Sequence, residues 1–318
     1  MSALFDKKLI LVCGKGGVGR STVAAAIAHQ CAARGRNTLL FETNANDRFG
    51  DYFGRPPVGT QLVPLAPRLS AVNATPASAL QEYGLMILKF QTAYDMVFEN
   101  RVTKAFLRAI PGLDDYALLG KAWFHTTEQT RGRPTWDTVV FDMPASGHSM
   151  SMLRIPKVIV ETVPEGPLTR DARSVMSLLR NDALTAAVVV TLAEEMPANE
   201  ACELSEKLRS ELEIKTAQLV INQVYPSGVV EAPTAKVLQA IVEAVKQAGV
   251  TADPVLRGLA AHGDLVAARR KLNVHYIAQL RAQIQAPTAE LPMLFTPTLG
   301  PGEIRQLSEL LTKTISSA

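Results

Sequence analysis

The chain has 318 residues, 47% of them hydrophobic and 20% charged, enough for one large α/β domain or for one domain carrying an inserted subdomain. Its 33 basic residues are scattered among 30 acidic ones without a basic arm or stripe, so nucleic acid is not expected as a partner. The three cysteines form no C-x-x-C pair, and no apolar stretch approaches the roughly 20 residues that span a bilayer. A cytoplasmic protein without stable membrane insertion is expected.

Lys8 to Cys13 is an apolar run that predicts a buried strand, and Gly14-Lys15-Gly16-Gly17-Val18-Gly19-Arg20-Ser21 follows it directly. This is the phosphate-cradling pattern G-x-x-x-x-G-K-[ST] with Arg20 at the lysine position. In such a loop, glycines let backbone N–H groups turn onto phosphate oxygens, the cation reaches the outer phosphates, and the hydroxyl meets Mg²⁺. Thr22 to Cys31 is Ala-rich and helix-favouring, which aims a helix N-terminus at the anion. The candidate ATP-binding residues are therefore Gly14, Lys15, Gly16, Gly17, Val18, Gly19, Arg20, Ser21 and Thr22, with Ser21 also a candidate Mg²⁺ ligand.

Thr38 to Phe41 predicts a second strand, followed by the polar loop Glu42-Thr43-Asn44-Ala45-Asn46-Asp47, placed to respond to a γ-phosphate. From Ala77 to Phe124 the pattern changes to two or three helices broken at Pro111-Gly112 and crowded with large apolar residues. Internal packing and a groove for an apolar client are the two readings of that density. Thr138 to Phe141 is a strand ending in Asp142, where a carboxylate holds the Mg²⁺ of a nucleotide directly or through water. Ala187 to Leu192 and Gln218 to Ile221 are further strands, the latter followed by Asn222, whose amide is suited to reading an adenine edge. Leu291 to Phe295 predicts another strand before a closing helix, Gly302 to Thr314, with Ile304, Leu307, Leu310, Leu311 and Ile315 on one face.

Strands alternating with helices predict an α/β fold: a doubly wound, mostly parallel sheet with a P-loop NTPase core. Residues 1–318 form one P-loop ATPase domain, with 77–124 as an inserted helical subdomain.

These segments, in this order, resemble the ArsA-type ATPases, which include arsenite-pump ATPases and those that target tail-anchored membrane proteins. GKGGVGRST resembles the GKGGVGKTT-like loop, FDMPASGHSMSMLRIP the D-x-x-P-T-G-H-T switch II stretch, INQ the base-contacting strand end, and VTLAEEMPANEA the V-x-x-P-E segment. The resemblance implies a homodimer, or a heterodimer with a paralogous ATPase, facing two nucleotides across its interface. Lys15 occupies the position of the signature lysine of the deviant Walker A motif and would act catalytically in the partner's site. Ser21 and Asp142 would serve Mg²⁺, Asn222 adenine, and His148 the G-H position of switch II.

Three departures accompany the resemblance. Asn44 stands where the family has the aspartate that orients the attacking water; an amide holds water but cannot take its proton, and Asp47 and Glu42 are the carboxylates left to substitute. Arg20 keeps the charge of the usual lysine with a wider, planar group. The cysteines imply neither metalloid binding nor a zinc-clasped dimer. The leading expectation is a nucleotide-switched dimeric ATPase that hydrolyses MgATP slowly and acts on an apolar protein client. The alternative is a non-hydrolysing ATP-binding regulatory subunit paired with an active paralogue. A membrane- or DNA-positioning ATPase would need a basic amphipathic tail that the closing helix lacks.

Overall fold

The computed structural model describes residues 3–43, 47–88, 112–226, 233–249 and 254–316. Its strands are β1 (Leu9–Gly14), β2 (Thr38–Glu42), β3 (Val63–Ala66), β4 (Leu69–Asn73), β5 (Gln129–Thr130), β6 (Arg133–Pro134), β7 (Thr138–Asp142), β8 (Thr185–Leu192), β9 (Thr216–Val224) and β10 (Thr288–Pro292). Eight of them form one sheet in the order β10-β9-β8-β1-β7-β2-β4-β3. Every neighbouring pair is parallel except β3 against β4. β5 and β6 form a separate two-stranded hairpin. The doubly wound, mostly parallel sheet expected from the alternation of strands and helices is present.

All six residues of β1 are buried, because helices cover both faces of the sheet and leave no polar side to alternate with. Leu9, Leu11, Phe41, Val139 and Phe141 join one core layer. It is closed by α4 (Leu113–Thr127), α5 (Ser146–Thr162), α6 (Pro167–Arg180), α7 (Glu195–Leu212) and α9 (Pro254–Gln283). Ile10, Val12, Leu40 and Val140 point the other way, onto α1 (Arg20–Ala33), α2 (Phe49–Phe53) and α10 (Pro301–Ser316). α8 (Pro233–Gln247) packs against α9. Alanines 24, 25, 26 and 28 are fully buried, so α1 lies close against the sheet and carries the glycine loop with it.

The edge strand β10 departs from the expectation. It runs Thr288–Pro292 rather than Leu291 to Phe295, with Ala289 and Leu291 buried and Phe295 62% exposed. Pairing with β9 selects the small, alternating segment, which hydropathy alone undervalues. The closing helix buries Ile304, Leu307 and Leu311 as expected, with Leu310 half-buried. The side chain of Ile315 lies outside the described residues.

Within the segment expected to be helical, α3 (Pro76–Leu88) packs on α4, and α4 on α5 and β7. Gly112 begins α4 with φ of 79°, a left-handed turn that glycine adopts without strain. Residues 89–111, and the side chains of 83–88, lie outside the described residues.

Candidate functional site

β1 ends at Gly14, where the carbonyl oxygen of Val190 on β8 lies 2.3 Å from the place a Cβ would occupy. Gly19, at φ 86°, begins α1, and a Cβ there would sit 2.2 Å from Nδ2 of Asn222. Side chains at these two positions would push the loop off its seat. Gly16 and Gly17 are exposed with open space above them, so the loop is braced underneath and free on its outer rim. No side chain caps the N-terminus of α1, which leaves its first N–H groups for an anion.

Asn222 ends up beneath the loop. It is 5% exposed and its Nδ2 donates to the carbonyl oxygen of Val18 at 2.9 Å. Its neighbour Gln223 takes φ 54°, a kink at the end of β9. The amide expected to read adenine thus has its donor directed at the loop backbone.

Ser21 and Asp142 come together as expected. Ser21 Oγ donates to Asp142 Oδ2 at 2.6 Å, and Asp142 is 1% exposed at the tip of β7. A hydroxyl beside a carboxylate, both hard oxygen donors, is the chemistry that suits Mg²⁺. Arg20 turns away from the outer rim: its guanidinium donates to the carbonyl oxygen of Met143, the residue after Asp142. Lys15 forms an ion pair with Glu200 on α7 of its own chain. Thr22 Oγ1 lies 3.1 Å from the Tyr52 hydroxyl, which links α1 to α2.

Asn44, Ala45 and Asn46 lie outside the described residues. Of the two carboxylates left to substitute for the missing aspartate, Asp47 is committed elsewhere. It accepts from the backbone N–H groups of Phe49 (2.8 Å), Gly50 (3.2 Å) and Val58 (2.7 Å), holding the start of α2. His148, at the start of α5, hydrogen-bonds through Nε2 to Asp115 Oδ1 on α4 at 2.6 Å, joining the stretch after Asp142 to the helical segment.

Burial pushes the thiols of Cys13 and Cys31 up to about 12, so both stay protonated at neutral pH. No group of three or more His, Cys, Asp or Glu able to hold a metal is gathered among the described residues. Among them, too, no helix is long and apolar enough to cross a membrane.

Two aromatic residues just past the ends of neighbouring strands escaped the sequence reading as a pair. Tyr225 follows β9 and Phe295 follows β10, and their rings meet edge-on with centroids 5.9 Å apart. Asn273 fixes the turn there, accepting from Tyr225 N at 2.9 Å and donating to the carbonyl oxygen of Ala193 at 3.1 Å. Their signal is faint, because an aromatic ring just past a strand is common and only the adjacency of β9 and β10 pairs them. Glu200 was legible in the sequence only as the closing glutamate of the VTLAEEMPANEA segment, with no partner assigned to it.

A family model described as anion-transporting ATPase matches residues 7–166, half of the chain, and covers the loop, both flanking strands and the Asp142 turn. The chain belongs to the ArsA-type ATPase family. It is 30% identical to ATPase BagA of Mycobacterium tuberculosis over 329 residues, covering 98% of this chain and 94% of that one. It is 26% identical to ATPase get3 of Schizosaccharomyces japonicus, over 68% of this chain and 74% of that one. Similarity to ATPase GET3 of Kluyveromyces lactis reaches 29% identity over 47% and 45% of the two chains. Membership of this ATPase family implies nucleotide binding.

Proposed function

We propose that this ArsA-type chain binds MgATP on the loop Gly14 to Thr22 and hydrolyses it slowly as one half of a nucleotide-switched dimer. The observation that carries the reading is the Ser21–Asp142 hydrogen bond beneath an uncapped helix N-terminus. Backbone N–H groups of Gly16, Gly17 and Gly19 receive the phosphates, and Asn222 keeps Val18 in place beneath them. Ser21 and Asp142 would hold Mg²⁺, which supplies charge neutralisation between the outer phosphates. Tyr225 and Phe295 offer an aromatic wall for the base at the C-terminal edge of the sheet, where ligands bind in doubly wound folds. Calorimetry of the purified chain with ATP and Mg²⁺ tests this; no uptake by folded protein removes the reading.

Lys15 is the residue that works across the dimer, and to do so it exchanges Glu200 for a partner's phosphates. Sedimentation with and without nucleotide checks that step: a shift from monomer to dimer on adding MgATP is expected.

A second reading, the non-hydrolysing regulatory subunit, is favoured by one contact. Arg20 spends its guanidinium on the Met143 carbonyl, so the cation that normally steadies the transferred phosphoryl is aimed at the switch turn. With Asn44 lacking a base, turnover by this chain's own site is expected to fall below the usual enzyme range of about 1 to 10³ s⁻¹. Turnover restored by mixing with a paralogous chain separates the two readings.

Residues 77–124 act, in this reading, as the helical subdomain that meets an apolar protein client. A cavity of about 180 Å³ between α3 and α4, lined by Leu80, Leu113, Tyr116, Trp123 and Phe124, supports it, and His148–Asp115 couples it to the switch turn. The setting is the cytoplasm, where the three free cysteines stay reduced.

A further inference from the structure

We propose that Glu42 is a second carboxylate of the metal end of this site, holding the water shell of the Mg²⁺ that Ser21 and Asp142 carry. The inference rests on the MgATP reading above and extends it to a residue outside the family's motifs. Glu42 closes β2 as Asp142 closes β7, and the two are direct partners in the parallel register. Both are 1% exposed.

Side chains alternate along a strand, so Glu42 falls on the same face as Leu40, and Asp142 on the same face as Val140. Leu40 and Val140 both pack in the core layer beneath α1. The two carboxylates therefore share the face from which Ser21 reaches Asp142. Neighbouring parallel strands run about 4.8 Å apart, which sets the two acidic residues side by side at the ends of their strands.

Three physical arguments assign the role. Two buried carboxylates side by side repel, and a divalent cation relieves that repulsion far better than separate monovalent partners do. Mg²⁺ keeps several of its waters and binds through few carboxylates, so a side chain one methylene longer than aspartate, set one strand away, suits the water shell rather than the ion. Asp47, the other acidic residue of the loop, accepts three backbone N–H groups and holds α2, which removes it as a competitor. Outer-shell partners of this kind typically change metal affinity by about 10- to 100-fold when removed.

The test uses the full chain, saturating ADP and Mn²⁺ as a spectroscopic probe, with free Mn²⁺ read by electron paramagnetic resonance and nucleotide affinity measured separately in EDTA. Glu42→Gln is expected to weaken Mn²⁺ binding about tenfold or more while ADP affinity in EDTA stays within about twofold. Glu42→Asp keeps the charge but draws it back, so an intermediate loss of about threefold is expected; it is also the variant to read should Glu42→Gln not fold. Mn²⁺ affinity unchanged in whichever variant folds overturns the assignment, as does an equal loss in EDTA, which would mark a merely structural carboxylate. Should the wild-type chain take up no nucleotide at all, the MgATP reading falls and this assignment with it. An unchanged variant beside a nucleotide-binding wild type sinks this assignment alone.

Discussion

A guanidinium at position 20 reaches a backbone carbonyl that an ammonium on a shorter, unforked stem would leave to water. Arg20→Lys frees Met143 and returns a compact cation to the loop. Single-turnover hydrolysis measured by rapid quench is expected to rise by about tenfold or more, a barrier change of about 1.4 kcal/mol. An unaltered rate would assign the slow chemistry to Asn44 instead. Asn222 makes a different kind of contribution. Asn222→Ala leaves the buried Val18 carbonyl without its donor and opens the space that Gly19 now shares with the amide, at a cost of about 1–3 kcal/mol in urea unfolding. If the amide only read adenine, stability would stay put and ATP would lose out to GTP.

At the scale of elements, α2 depends on one side chain. Asp47 accepts N–H groups at the helix start and from Val58, so Asp47→Ala is expected to cost about 1–2 kcal/mol without changing single-turnover hydrolysis. A large loss of hydrolysis with intact stability would return Asp47 to the list of candidate bases. Elements with a strong local signature were legible beforehand. β1 and β7 are unbroken apolar runs, the glycine loop has its spacing, and α10 shows its apolar face in the sequence. β10 was misplaced by three residues, and the β3–β4 hairpin and α2 were missed. Their stability comes from a neighbouring strand or a capping carboxylate rather than from their own composition.

For the molecule as a whole, pH adds a prediction that involves both faces of the sheet. His125, on α4, has its pKa lowered chiefly by burial, against the pull of Glu128, which its Nδ1 meets at 2.9 Å. His29, on α1, is lowered by burial and by Arg305, and contacts Ser308 of α10 at 3.0 Å. Each binds a proton less readily folded than unfolded. The stability they contribute is therefore full above the ordinary 6.5 and declines as pH drops below it towards the folded values. The melting temperature is expected to fall on going from pH 7.5 to 5.5, with a shallower slope in His125→Gln. A slope identical to wild type would exclude His125 as a contributor.

The order of segments was decided by the chain itself. A β-branched run, a glycine loop and an alanine-rich helix can be read from composition and spacing, because backbone sterics and burial act over neighbours in the chain. That is why the fold class and the family were both within reach of the sequence. Which polar groups face one another was decided only by folding. Arg20 and Met143 are 123 residues apart, Lys15 and Glu200 185, Val18 and Asn222 204, and Glu42 lies opposite Asp142 only because β2 and β7 pair in register. Such meetings are set by strand order and sheet register, and these are properties of the assembled core rather than of any local stretch.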